Sequence, residues 1–238
     1  MNPKSLFKYN WLAFGLGDIR PVNSTYSSTD FNSLPPTPEL ASNCSWLAEL
    51  HPSIDAAMED YRLDAEAKAR YADQLKHIES EAISNEIKLP DTFLTIAHSF
   101  ELQERIPSCT ACYFDLPETI VEGPFRNDDF MLRFLNDQQV CVCWYIYFPK
   151  QGPSFVISSS GDGDEPFLDE IDFVSKPQSV QECLETTSIA GRSFDEFIYR
   201  FWIENLIWLK LNEQIPMNRI ELDYVRYIAP EFSDPNGG

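Results

Sequence analysis

The sequence predicts an α+β fold with an antiparallel central sheet flanked by helices. The first observation is segment 140–148, VCVCWYIYF, whose β-branched, aromatic and cysteine residues suit a largely buried strand. The second is a pair of apolar runs, 131–135 and 154–158, that flank this strand beyond turn-forming residues. The three segments therefore predict an antiparallel meander, and helical patterns before and after it predict the flanking helices.

Alternation along the central strand divides its side chains between two faces. The two sets are Val140, Val142, Trp144, Ile146 and Phe148 on one face, and Cys141, Cys143, Tyr145 and Tyr147 on the other. Because both sets are largely apolar, we expect both faces of the sheet to be covered.

Three helices are predicted around the sheet. One begins at Ser53 and carries apolar or small residues at spacings of three or four as far as Ala82. A short helix follows Leu89-Pro90-Asp91, since proline suits a first turn and aspartate favours the positive end of the helix dipole. Ser193-Phe194-Asp195-Glu196 has capping-box spacing and opens a helix through Leu211.

Four further segments have weaker signals. Residues 108–116 have strand composition, residues 119–122 suit an edge strand, and residues 179–186 are weakly helical. Residues 219–228 show partial alternation, which predicts a final strand or an ordered tail.

The chain of 238 residues is divided into three parts. Residues 1–50 form an N-terminal extension and linker, in which residues 21–43 are rich in Ser, Thr, Asn and Pro and favour turns. Residues 51–230 form a single α+β domain. Residues 231–238 end in SDPNGG and are predicted to be a disordered tail.

The charge of the chain restricts its partners. The net charge is −20, from 38 acidic and 18 basic residues, so nucleic acids and anionic membranes would be repelled and a basic protein partner is expected. No apolar run approaches the roughly 20 residues that span a bilayer, and the N-terminal residues do not form a signal-peptide pattern. We therefore expect a cytoplasmic protein whose six cysteines are reduced.

Motifs for catalysis are not found in the sequence. There is no GxSxG, P-loop, GxGxxG or HExxH pattern, and we expect His51, His77 and His98 to be structural or solvated. The sequence thus predicts a non-enzymatic protein without a cofactor.

Four cysteines raise the alternative of a zinc site. They are Cys109, Cys112, Cys141 and Cys143. Four thiolates close a tetrahedral site only if their strands pair in a suitable register. Small buried thiols in a core are the simpler interpretation, so no metal is predicted.

An acidic loop follows the meander. Its six carboxylates belong to Asp162, Asp164, Glu165, Asp169, Glu170 and Asp172. The start resembles a calcium-binding EF-hand loop, but Pro166 and Phe167 stand where that loop needs a ligand and a glycine. The loop is therefore interpreted either as a solvated segment or as a contact surface for a cationic partner.

Three segments within residues 88–210 share a pattern with a known family. They are LPDTFLTIA (89–97), FMLRFLNDQQVCVCWYIYF (130–148) and GRSFDEFIYRFW (191–202). Together they resemble the SUKH superfamily of α+β proteins. A glycine pair often found after the first helix of that family is missing, with residues 101–106 in its place.

The resemblance implies a protein-binding module, namely an immunity protein that binds and occludes a cognate basic toxin such as a nuclease. The alternative is a regulatory or scaffold protein that has no toxin partner and uses the N-terminal extension as its contact surface. The acidic loop would meet the partner, with Tyr145, Tyr147 and Trp208 as aromatic anchors where they are exposed and as core residues otherwise.

Overall fold

A computed structural model of the chain describes residues 6–22, 24–139, 141–160 and 180–233. It confirms the α+β class. The described residues form a seven-stranded, mostly antiparallel sheet, a two-stranded sheet and seven α-helices. Within this part of the chain, no helix combines the length and apolarity needed to cross a membrane.

The secondary structure elements are numbered in chain order. The strands are β1 (Lys8–Tyr9), β2 (Trp11–Ala13), β3 (Ser27–Thr29), β4 (Tyr113–Phe114), β5 (Val121–Glu122), β6 (Phe130–Asn136), β7 (Val142–Phe148), β8 (Phe155–Ser160) and β9 (Thr187–Gly191). The helices are α1 (Pro52–Met58), α2 (Ala65–Ser84), α3 (Asp91–Ala97), α4 (Phe100–Glu104), α5 (Val180–Thr186), α6 (Phe194–Asn212) and α7 (Arg219–Ile228).

The predicted meander is confirmed as β6, β7 and β8, which pair antiparallel in that order. The register places Trp144 between Leu135 and Ser158. The full sheet has the order β1-β9-β8-β7-β6-β4, and β5 also pairs with β6. Strand β1 joins β9 in parallel, so the N-terminal segment is part of the sheet.

The side chains of β7 divide between two cores as alternation predicts. Val142, Trp144, Ile146 and Phe148 lie in the main core, and Cys143, Tyr145 and Tyr147 lie in a smaller second core. All seven residues of the strand are buried. Since full burial of a large apolar side chain contributes about 1.5–3 kcal/mol, both cores stabilise this strand.

Helix α6 is the central helix of the main core, and 14 of its 19 residues are buried. The Ser193 hydroxyl accepts from the Glu196 backbone N–H at 3.1 Å, as predicted. The Glu196 carboxylate accepts from the backbone N–H of Arg192 at 2.8 Å, one residue before the expected capping-box donor. The start of the helix is therefore fixed by side chains on both sides of the cap.

The single helix predicted from Ser53 to Ala82 is two helices. Helix α1 begins after His51, whose ring nitrogen accepts from the Ser53 backbone N–H, and it runs into a 3-10 turn at Glu59–Tyr61. Arg62 is extended, and the Asp64 carboxylate accepts from the Ala67 backbone N–H at 2.8 Å to start α2. The apolar spacing continues across the break because α1 and α2 pack on the same core.

Two other segments differ from the sequence prediction. Residues 219–228 are helical, because Asn218 and Glu221 form a complete capping box at the start of α7. Residues 108–116 contribute only the two-residue strand β4, since Ala111 has a φ of 54° and belongs to a turn before it. The edge strand at 119–122 and the helix at 179–186 are confirmed as β5 and α5.

Candidate partner-binding cleft

The residues predicted to contact a partner fall into two groups. Asp162, Asp164, Glu165, Asp169, Glu170 and Asp172 lie outside the described residues. Tyr145 and Tyr147 are 2% and 0% exposed. Both are core residues, the alternative expected where these tyrosines are not exposed, because their face of the sheet is covered.

The second core explains why these tyrosines are enclosed. The Tyr147 ring lies 5.6 Å from the Phe7 ring and 6.1 Å from the Phe125 ring, measured between centroids. Its hydroxyl donates to the buried Asp129 carboxylate at 2.7 Å, and burial raises the pKa of Tyr147. Trp208 is partly buried against the main core. None of the three is a freely exposed aromatic side chain.

An open cleft of about 730 Å³ lies where α3 and α6 begin, next to the turn between β7 and β8. We call it the α3–α6 cleft. Its lining is Ser42, residues 85–92, Asp128, Phe130, residues 148–150, residues 152–154 and residues 193–195. Segments 89–97, 130–148 and 191–202 each contribute to this lining.

Aromatic packing fixes the position of the two helix starts. The Phe93 and Phe194 rings are 5.5 Å apart, and Phe194 also contacts Phe134 at 5.2 Å. These rings form edge-to-face pairs, which stabilise a core beyond the area that they bury. The cleft therefore has a rigid floor made by α3, α6 and the sheet.

Carboxylates outnumber amines around the cleft. Glu86, Asp91 and Asp128 are exposed and Asp195 is partly buried, against exposed Lys88 and Lys150. The Lys150 amine pairs with Asp128 at 2.5 Å. Ligand pockets of this volume are mostly apolar, whereas exposed charged side chains surround this one, which favours a polar and cationic partner.

Asp91 and Asp195 also have a structural role. Each lies in the first turn of its helix, where a carboxylate interacts favourably with the helix dipole. Asp195 Oδ1 is nevertheless buried and accepts no hydrogen bond from the described residues. This oxygen retains hydrogen-bonding capacity at the cleft.

Glu86 and Asp128 both have a left-handed backbone. Their φ angles are 56° and 65°. Glu86 ends α2 in a Schellman arrangement, with the Ile87 N–H donating to the Ala82 carbonyl at 2.8 Å. Aspartate tolerates this conformation, whereas a residue such as glutamate adopts it at a cost of about 1–2 kcal/mol, so the strain falls on Glu86.

The cysteines do not form a reactive or metal-binding centre in the described residues. Burial raises the pKa of Cys109 and Cys112, which keeps both thiols protonated at neutral pH, the opposite of an activated nucleophile. Cys143 lies in the second core, whereas Cys109 and Cys112 pack on the main core. Among the described residues, no group of three or more His, Cys, Asp or Glu side chains is placed to hold a metal ion.

Sequence reasoning missed the α3–α6 cleft because Glu86 and Asp128 belong to no recognised motif. The available signal was the end of α2 at Asn85-Glu86, where a helix stops without a glycine.

A comparison with protein-family models finds no match, and comparisons with curated proteins and with solved structures find no significant match.

Proposed function

We propose that the protein is a non-enzymatic binding module that uses the α3–α6 cleft to hold a basic region of a protein partner. The observation that carries this proposal is the excess of carboxylates on the cleft, where Glu86, Asp91, Asp128 and Asp195 outnumber Lys88 and Lys150. Asp128 already pairs with Lys150, whereas Glu86 and Asp91 make no ion pair with a described residue. These two exposed carboxylates are therefore the ones available to cationic side chains of a partner.

The distribution of charge supports a basic partner. Residues 161–179 contain six carboxylates and one lysine, so they contribute −5 to the net charge of −20 and the rest of the chain carries −15. Negative charge is therefore spread over the folded body and is not confined to the acidic loop. Such a surface accelerates association with a positively charged protein and disfavours anionic ones.

The resemblance to the SUKH superfamily supports a more specific version of the proposal. In this version the protein is a cytoplasmic immunity protein with a SUKH-like fold, and its partner is a basic toxin such as a nuclease. The groove of a nuclease that receives phosphates is positively charged, so an acidic protein can bind there and occlude it. The acidic residues from Asp162 to Asp172 would extend the contact.

The scaffold alternative receives less support from the structure. It assigns the contact surface to the N-terminal extension, but Trp11, Phe14 and Leu16 are all buried in the main core. Their apolar surface is already used within the chain. Tyr9, which is 41% exposed, is the large apolar residue that segment 6–22 offers to a partner.

A salt-resolved affinity experiment tests the proposal. The tagged full chain is used to capture proteins from a lysate of its native source, and bound proteins are eluted in steps of rising salt and identified by mass spectrometry. We expect a basic protein that elutes at moderate salt, because exposed charges are screened within about 10 Å at 0.1 M ionic strength. Capture of neutral proteins only, resistant to salt, would overturn the proposal.

A further inference from the structure

A second and narrower groove lies beside β4, the strand that ends the large sheet. We call it the β4 groove. Its apolar walls come from Met58, Leu63, Phe100, Ile106 and Phe114. Its volume is about 70 Å³, which admits the end of one side chain, whereas pockets for whole small molecules measure about 300–1,000 Å³.

The rim of the β4 groove carries an exposed aromatic residue. Tyr61 lines the groove and is 53% exposed, at the end of the 3-10 turn that joins α1 to α2. An apolar socket next to a partly exposed tyrosine is typical of the energetic centre of a protein interface. The groove therefore fits an anchoring side chain of a protein partner.

The cations of the groove are already paired within the chain. The Lys68 amine contacts Glu104 at 2.8 Å and lies over the Phe100 ring, and the Arg62 guanidinium pairs with Asp55. Arg62 Nε is buried without a hydrogen-bond acceptor, with Glu104 Oε2 3.8 Å away.

The surface around the groove is acidic. Residues 59–66, which include Tyr61, carry four exposed carboxylates and no exposed cation. They belong to Glu59, Asp60, Asp64 and Glu66. Since Arg62 and Lys68 are paired with Asp55 and Glu104, these four carboxylates give residues 59–66 an unpaired negative charge next to Tyr61 in the chain.

We infer that the β4 groove binds one apolar side chain from a positively charged surface of a protein partner, with Tyr61 packing against it. The inference rests on the proposed function in one respect, the positive charge of the partner. It adds a contact surface built on apolar burial, separate from the polar α3–α6 cleft.

Small probes test this chemistry on the full chain without the natural partner. Benzamidinium, benzoate and toluene share an aromatic ring and differ in charge, and their binding is followed by backbone amide NMR shifts. We expect shifts at residues 58–63 and 100–114. We also expect benzamidinium to bind about threefold tighter than benzoate at low salt, because an exposed ion pair contributes a free energy of about this size. Tighter binding of benzoate, or no shift in these segments, would overturn the inference.

Two matched tyrosine variants complete the test. Tyr61→Ala should weaken benzamidinium binding at least about threefold, because a rim aromatic is removed from the contact. Tyr227→Ala removes a tyrosine of similar exposure, 55%, from α7 and should leave binding unchanged. Equal effects of the two variants would contradict the assignment. Because the probes replace the partner, this test can fail while capture through the α3–α6 cleft succeeds, and the reverse also holds.

Discussion

Arg20 holds both carboxylate oxygens of Glu204 in the interior of the protein. Its two terminal nitrogens donate at 3.0 and 2.6 Å, and the Glu204 side chain is fully buried. Trp11 Nε1 donates to the same carboxylate at 2.9 Å. The Tyr224 hydroxyl also donates to it, at 2.8 Å. One carboxylate of α6 thus joins the N-terminal segment to the C-terminal helix α7.

Replacement of Arg20 should be strongly destabilising. Arg20→Ala leaves the buried Glu204 charge without its cation, and breaking a buried pair in this way costs about 3–5 kcal/mol. Urea unfolding measures the loss. Arg219→Ala is the control, because its pair with Asp223 is 93% and 64% exposed and should contribute less than about 1 kcal/mol. A similar small loss for both variants would contradict the structural role given to Glu204.

Glu86→Gly should raise the stability of the free protein. Glycine adopts the left-handed conformation without strain, so the free energy of unfolding should increase by about 1 kcal/mol. The matched control is Glu79→Gly inside α2, which should lose about 1 kcal/mol because glycine is unfavourable within a helix. If Glu86→Gly is destabilising, the strain argument for this position is wrong.

Two buried hydroxyls on adjacent strands should be dispensable for stability. Ser159 and Thr187 are paired across β8 and β9, are 4% and 1% exposed, and make no side-chain hydrogen bond in the described residues. An unsatisfied buried polar group costs about 1–3 kcal/mol, so Ser159→Ala combined with Thr187→Val should stabilise the protein. The contrasting variant is Ser193→Ala, which removes a helix cap and should lose about 1 kcal/mol. Destabilisation by the double variant would show that the hydroxyls are hydrogen-bonded.

Stability should fall at alkaline pH, and Cys44 contributes to this fall. Burial first, and then the Asp195 carboxylate, raise the pKa of the Cys44 thiol to about 11. An unfolded cysteine has a pKa of about 8.5, so the folded thiol retains its proton where the unfolded one loses it. The contribution of Cys44 to the free energy of unfolding is fully present below about pH 8.5 and is lost as the pH rises to about 11. The urea midpoint should fall less between pH 8 and 10.5 for Cys44→Ala than for the wild type. An equal fall of the midpoint in both proteins would contradict the role given to Cys44.

The sheet could be predicted from sequence because its signal is local. Alternation in β7 assigns Trp144 and Tyr145 to opposite faces without any knowledge of the rest of the chain. The alternation also predicts that the face of Tyr145 and Tyr147 is covered, but not that Phe7 and Phe125 cover it, because both are distant in sequence.

The candidate cleft could not be predicted for a related reason. The left-handed backbone of Glu86 and Asp128 arises where a helix and a turn end, and a glutamate gives no indication of that conformation. Helix α7 was missed because the capping pair Asn218 and Glu221 lies before a segment whose alternation suggests a strand. At α7, side-chain to backbone contacts of Asn218 and Glu221 decided the local structure against the residue pattern, and at Glu86 the backbone contacts of the helix end did so.

Charge reversal in the α3–α6 cleft tests the central claim most directly. Glu86→Lys combined with Asp91→Lys is compared with Glu213→Lys combined with Glu231→Lys, which changes the net charge equally at exposed residues outside the cleft. Both variants and the wild type are used in the salt-resolved capture experiment. We expect the wild type and the control variant to retain the same basic protein and the cleft variant to lose it. Retention of that protein by the cleft variant, or equal loss from both variants, would contradict binding through this cleft.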